Sequence, residues 1–236
     1  MKITALGHSA FRIETGKSVI LVDPFITGNP AAKPGTMDLT RDCTHLLLTH
    51  GHDDHVGDTV SICKATGATL VSNFEICNFL AAHGVAKYSP GNHGGRIRFD
   101  DFDAIFTNAW HSSGRIQKDG VPIYLGNPSG FVIEPKTEKG KTVYVMGDTG
   151  ISYDMSLVQE LYKPVVGIVP IGDRFTMGPE QAALACRKFF TFSTIIPCHY
   201  ASFEGYVIPD EKPFLAAMGP DAKKVKALKS GESISL

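Results

Sequence analysis

The 236-residue sequence predicts a mixed α/β fold, a strand-rich core with helices outside it. Three observations predict it. Short β-branched and apolar runs open the chain at hairpin spacing. Farther on, such runs alternate with segments of helical periodicity. Six of the runs end at a histidine or aspartate: "ITAL" just before Gly7 and His8, "VILV" at Asp23, "LLLT" at His50, "AIFTNAW" at His111, "VYVMG" at Asp148 and "TIIPC" at His199. Residues just past strand ends converge on one edge of a sheet, a usual place for a site in α/β proteins.

The strands expected from β-branched runs bounded by turn residues begin with Ile3–Leu6, Phe11–Thr15, Ser18–Val22 and Leu46–Thr49. Thr69–Ser72, Arg96–Phe99, Phe102–Asn108, Gly130–Glu134, Thr142–Met146, Val165–Pro170 and Thr194–Pro197 follow, and Lys224–Leu228 and Ser233–Leu236 are placed to close the sheet edge. Helices are expected over Val56–Thr66, Phe74–Ala82, Tyr153–Leu161, Pro179–Phe189 and Glu211–Met218. In "GPEQAALACRKFF", Pro179 suits a first turn, Glu180 suits the positive helix end, and Ala182, Leu184, Ala185 and Phe189 are expected to face inward. The long segments Pro24–Asp42 and Ser112–Pro128 are read as functional loops.

Composition narrows the functional classes. The chain is 43% hydrophobic and 20% charged, as expected for a packed globular core. With 23 basic against 24 acidic residues, it lacks the surplus of positive charge that nucleic acid or a stable membrane association asks for. "VVGIVPI" and similar runs are too short to span a bilayer. Cys43, Cys63, Cys77, Cys186 and Cys198 are odd in number and lack CxxC spacing, so no disulfide framework is expected. "MKITALGHSAFRIETG" reads as strand rather than as a signal peptide. A cytoplasmic setting and one domain over residues 1–236 follow as expectations, since no linker-like segment divides the chain.

The segment "LLLTHGHDDHVGD" carries the chemistry. A string HxHxDH arises by chance about once in a thousand chains of this composition, so a solvated turn is a weak explanation. Together with the later strand-end residues it supplies seven metal-capable groups: His50, His52, Asp54, His55, His111, Asp148 and His199. A catalytic zinc takes three protein ligands and keeps an open position, so seven groups suit two ions with one shared carboxylate. The expected division puts His50, His52 and His111 on the first ion and Asp54, His55 and His199 on the second, with Asp148 bridging. Two such ions share a bridging hydroxide and polarise a carbonyl or phosphoryl oxygen, which is hydrolytic chemistry. Asp54 and Asp148 are the catalytic candidates, Asp54 as proton acceptor. Asp23 either orients a ligand histidine through that ring's other nitrogen or starts an Asp-Pro turn. His45 and His93 precede their strands and belong at the opposite edge, His83 suits a helix C-terminus, and Cys198 reads as a buried thiol.

Taken in order, "THGHDDH", "WHS", "GDT" and "PCHY" resemble the metallo-β-lactamase superfamily. "LGHSAFRIE", "VDPF" and "IGDRFTMGPEQAA" look like its small single-domain metal-dependent hydrolases, a group similar to ascorbate-6-phosphate lactonase. The resemblance implies a four-layer αββα sandwich and two divalent metal ions at the sheet edge, zinc foremost, with manganese or iron as alternatives. It also supports Asp23 as an orienting residue and places His8 in the substrate pocket, bordered by Asp173, Thr176 and Met177. The expected activity is hydrolysis of a small-molecule ester, lactone or phosphoester. The alternatives are phosphodiesterase or phospholipase-D-like chemistry, for which Arg115, Lys118 and Arg174 offer phosphate contacts, and a non-catalytic metal- or metabolite-binding role. Exposed sheet edges make a homo-oligomer conceivable.

Overall fold

The computed structural model describes residues 1–117 and 119–236, so Lys118, one of the three phosphate-contact candidates, lies outside the described residues. The first sheet contains β1 (Lys2–Gly7), β2 (Ala10–Thr15), β3 (Ser18–Val22), β4 (His45–Leu47), β5 (Thr69–Asn73) and β6 (Tyr88–Gly91), with the late strand β15 (Ser233–Ser235) on β1, in the order β15-β1-β2-β3-β4-β5-β6. The second contains β7 (Arg96–Arg98), β8 (Phe102–Asn108), β11 (Ser129–Pro135), β12 (Val143–Val145), β13 (Val166–Pro170) and β14 (Thr194–Cys198), in the order β14-β13-β12-β11-β8-β7. A separate hairpin joins β9 (Gly114–Ile116) to β10 (Pro122–Tyr124). The helices are α1 (Asp53–Val56), α2 (Thr59–Thr66), α3 (Phe74–Ala82), α4 (Asp154–Tyr162), α5 (Pro179–Phe189) and α6 (Lys212–Met218).

Alternation along the strands sorts the apolar residues into three cores, because neighbouring side chains on a strand point to opposite faces. Ile20, Val22, Leu47 and Val71 of the first sheet meet Phe106, Phe131, Val143 and Ile168 of the second in one buried cluster between the sheets. Their strand neighbours Leu21, Leu46 and Leu70 point the other way, onto Ile62, Ile76 and Leu80 of α2 and α3. On the far side Ile105, Val132, Tyr144 and Val169 pack onto Met155, Val158, Ala182, Phe189 and Phe214 of α4, α5 and α6. The result is the expected four-layer αββα sandwich. Among the described residues no helix is long and apolar enough to cross a membrane.

Several expectations need correction. The helix expected over Val56–Thr66 is two pieces, interrupted at Gly57 and Asp58. Gly57 has φ +37°, and a Cβ there would sit 2.4 Å from Phe25 Cα, so the chain breaks its helix to pass the Pro24–Phe25 turn. Lys224–Leu228 is not a strand and makes only an isolated parallel bridge, Val225 to Ile195. Leu184 is 46% exposed, and Ala183 and Cys186 take the inward positions of α5. The sequence reading also missed β6, an edge strand containing Pro90, and the β9–β10 hairpin, whose residues are all intermediate or exposed, with no buried face. Gly57→Ala should destabilise the protein by about 2–4 kcal/mol through backbone overlap and left-handed strain. Thermal denaturation checks this; a melting point unchanged within a degree would contradict it.

Strand direction puts the site together. β1 and β3 are each antiparallel to β2, and β4 is parallel to β3, so β1, β3 and β4 run the same way. β8 and β12 are likewise each antiparallel to β11, and β13 and β14 follow β12 in parallel. The strands that stop at a histidine or aspartate therefore end at one edge within each sheet, and the His8 and His199 rings, 4.2 Å apart, bring the two edges together.

Candidate metal centre

His8 follows β1 and Asp23 follows β3 directly, and His199 follows β14. His50, His111 and Asp148 stand three residues beyond β4, β8 and β12, while α1 presents Asp54 and His55 from its single turn. His8, Asp23 and His199 have φ of 54°, 45° and 60°. Left-handed backbone costs non-glycine residues about 1–3 kcal/mol each, and such strain gathers where a side chain must be aimed.

Donor atoms within 4.8 Å of one another form two main groups, His50, His52 and His111, and His8, Asp54, His55 and His199, and a third set, Asp23, His50 and His55, links them through His50 and His55. In the first, His52 Nδ1 lies 3.0 Å from His50 Nε2 and 3.3 Å from His111 Nε2. In the second, His8 Nε2 lies 3.3 Å from Asp54 Oδ2. Between them stands Asp148 Oδ2, 3.0 Å from His199 Nε2, 3.3 Å from His55 Nε2, 3.7 Å from His111 Nε2 and 4.0 Å from His50 Nε2. His8, the substrate-pocket candidate, has a ring nitrogen inside the Asp54 group.

Supporting hydrogen bonds choose which ring nitrogen faces the centre. Asp23 is buried and accepts from Thr49 N at 2.8 Å, Thr49 Oγ1 at 2.7 Å and His55 Nδ1 at 2.8 Å. This turns His55 Nε2 toward Asp148. Thr49 Oγ1 also lies 2.9 Å from His50 Nδ1, and Ser202 Oγ lies 2.7 Å from His8 Nδ1. Gly51 N donates to Ser113 Oγ at 3.0 Å, and a Cβ on Gly51 would meet Leu125 Cδ1 at 2.6 Å. The glycine therefore makes room for the Ser112–Pro128 loop. Asp53, the acid outside both groups, pairs with Arg115 across that loop.

The electrostatics suit a cation. Burial drives His50 far toward its neutral form and lowers His8 to about 4. Burial also disfavours charge on His55, but Asp148 and Asp23 outweigh it and raise the His55 pKa well above the ordinary value. Burial likewise opposes the Asp148 carboxylate, and His199 and His55 outweigh it to hold its pKa well below the ordinary range. His55 Nε2 and Asp148 Oδ1 are buried without hydrogen-bond partners. Buried polar atoms left this way need a partner, and a divalent cation fits imidazole nitrogens and carboxylate oxygens at this spacing.

The remaining sequence candidates separate. Asp173 lines an open cavity of about 840 Å³ beside the centre. Met177 is fully buried in the core under α5, and Thr176 is spent inside its own loop, its Oγ1 accepting from Gly172 N at 3.0 Å, so neither borders the pocket as expected. The sequence reading missed Thr49, Ser113, Ser202 and Phe203. Thr49 was readable as the polar end of an apolar strand; Ser202 and Phe203 lie in a loop without periodicity. His45, His83 and His93 contact Thr44, Phe79 and Pro128, away from the cluster, and all five cysteines are free and buried.

Two helix-covered sheets with histidines and aspartates gathered at their common edge define a protein of the metallo-β-lactamase class. The sequence profile described as a beta-lactamase superfamily domain matches residues 18–200. The chain belongs to this superfamily and, within it, to the UPF0173 metal-dependent hydrolase family. It is 57% identical over 221 residues to a UPF0173 metal-dependent hydrolase of Sinorhizobium medicae, covering 92% of each chain. It is 52% identical over 239 residues to one of Rhizobium meliloti, covering both completely. Among solved structures it is similar to Igni18, a metallo hydrolase from the archaeon Ignicoccus hospitalis, with 34% identity, a TM-score of 0.85 and coverage of 99% and 97%.

Proposed function

We propose that the chain hydrolyses a small-molecule ester, lactone or phosphoester with two divalent cations. The position of Asp148 Oδ2 carries this reading, because it lies within 4.0 Å of ring nitrogens from both donor groups. His50, His52 and His111 would hold one ion, and Asp54, His55 and His199 the other, with His8 Nε2 close beside them and the Asp148 carboxylate between the two groups. Two bound ions would lower the pKa of a shared water to roughly 7 and polarise the oxygen of the scissile group. Asp54, about one-third exposed, is the carboxylate that would accept a proton from such a water. Asp23 and Thr49 fix the imidazoles that the ions need, and Ser202 does the same for His8. The histidine-rich donor set suits zinc, with iron or manganese as alternatives. Five unpaired, buried cysteines support a reducing, cytoplasmic setting.

The test uses metal analysis and a panel of esters, lactones and phosphodiesters. His52→Ala should lower bound metal and reduce turnover by about 10²-fold or more while the melting point stays near wild type. A chelator should abolish turnover, and added zinc or manganese should restore it. Unchanged metal content together with unchanged turnover in His52→Ala would overturn the proposal.

A further inference from the structure

The metal centre is flanked by two different surfaces. On the His52 side, a cleft of about 510 Å³ is walled by the β9–β10 hairpin, including Ile116, Ile123 and Tyr124. Arg115 also lines it, but its charge is met by Asp53. On the His8 side lies the larger cavity, about 840 Å³, formed by Gly172–Arg174 and the 201–209 loop. This cavity adjoins the centre through two contacts. Ser202 holds His8 Nδ1 at 2.7 Å, and the Phe203 ring lies edge-on to the His8 ring at 5.3 Å. The opposite wall touches His199, since a Cβ on Gly172 would fall 2.6 Å from His199 Nδ1.

Arg174 lies on that second wall. Its guanidinium carbon is 5.2 Å from the Tyr206 ring centre and 5.6 Å from that of Phe175, and the two rings are stacked at 6.4 Å. A guanidinium held beside aromatic rings rather than beside a carboxylate keeps N–H donors for a ligand, and their fork matches a carboxylate or phosphate. Among the described residues no carboxylate lies within ion-pair distance of Arg174. Asp173 and Glu204 line the same cavity and, like Arg174, are exposed, so solvent and salt screen all three charges and the fork of guanidinium donors, rather than net charge, is what favours an anion there.

We propose that the Arg174 cavity receives an anionic portion of the substrate, a carboxylate or phosphate, while the hairpin cleft receives a less polar portion. The cation and aromatic shelf set specificity without touching the reacting bond. This deepens the hydrolytic reading and rests on it for the role of the bound molecule as substrate.

The test measures binding of benzylphosphonate, phenylacetate and neutral benzyl alcohol to the purified, metal-loaded protein, using wild type, Arg174→Gln and Arg115→Gln at matched metal content. The two anions separate phosphate-like from carboxylate recognition, and the alcohol isolates the aromatic contribution. Arg174→Gln should weaken at least one anion by about tenfold, the scale of a charge-assisted contact, and leave benzyl alcohol unchanged. Arg115→Gln removes the same charge from the other flank and should change anion affinity less than twofold. Equal anion affinity in wild type and Arg174→Gln overturns the proposal, as does an equal loss in both variants or failure of wild type to bind either anion at millimolar concentration. The two readings fail separately. Loss of anion binding in Arg174→Gln, in a protein that hydrolyses nothing in the panel, keeps the anion site and removes the hydrolytic reading. The reverse result removes the anion site alone.

Discussion

Replacing Asp148 with asparagine is expected to reduce hydrolysis by about 10³-fold or more and to lower bound metal by at least half. The substitution keeps the shape of a fully enclosed side chain, 2% exposed, and removes only its charge. That charge faces ring nitrogens of His50, His55, His111 and His199. With a neutral amide at position 148, Asp54 is the one carboxylate left among the proposed ligands to balance two divalent ions, and the amide NH₂ places a donor where a ligand oxygen should stand. Elemental analysis and turnover on the responsive substrate read the two effects together. Retention of full metal content with wild-type turnover would show that Asp148 is not shared between the two donor groups.

The second large effect is at Asp23, which touches no proposed metal position. Asp23→Ala leaves Thr49 N, Thr49 Oγ1 and the ring nitrogen of His55 without their shared acceptor. Loss of a buried acceptor serving three donors should cost about 3–5 kcal/mol of stability and weaken metal binding by about 10- to 100-fold. Asp23→Asn separates these effects. Asparagine tolerates the left-handed backbone at φ 45° and can still accept from Thr49 N. Its amide can also donate to His55 Nδ1, which moves the ring proton to Nε2 and blocks the nitrogen that faces Asp148. The asparagine variant should therefore fold nearly as well as wild type but bind metal about as poorly as the alanine variant. Chemical denaturation and metal titration measure the two quantities, and normal metal affinity in Asp23→Asn would refute the orienting role.

Much of the architecture was legible because burial leaves a period in the sequence. Leu46 and Leu48 face the helices while Leu47 faces the other sheet, so this strand is apolar on both sides and stands out as a continuous run. β9 and β10 have no buried face and left no such trace. Gly57 shows the limit of local periodicity. The apolar positions from Val56 onward continue a helical pattern, but the close passage of Phe25 breaks the helix there.

By itself the sequence pointed to seven candidate donors and to their gathering at one edge, because HxHxDH and three later strand ends each put a metal-capable side chain just past an apolar run. It also pointed to Asp23, which the fold places against His55. Only the tertiary structure decided how those donors group: that His8 joins Asp54, His55 and His199, that Asp148 stands between the groups, and that Met177 turns into the core. It also decided that Arg115 is paired with Asp53 while Arg174 rests on aromatic rings. Strand direction and apolar alternation are local properties, written within a few residues of one another. The grouping depends on distances between side chains as many as 191 positions apart, such as His8 and His199, and these are set when the two sheets pack face to face.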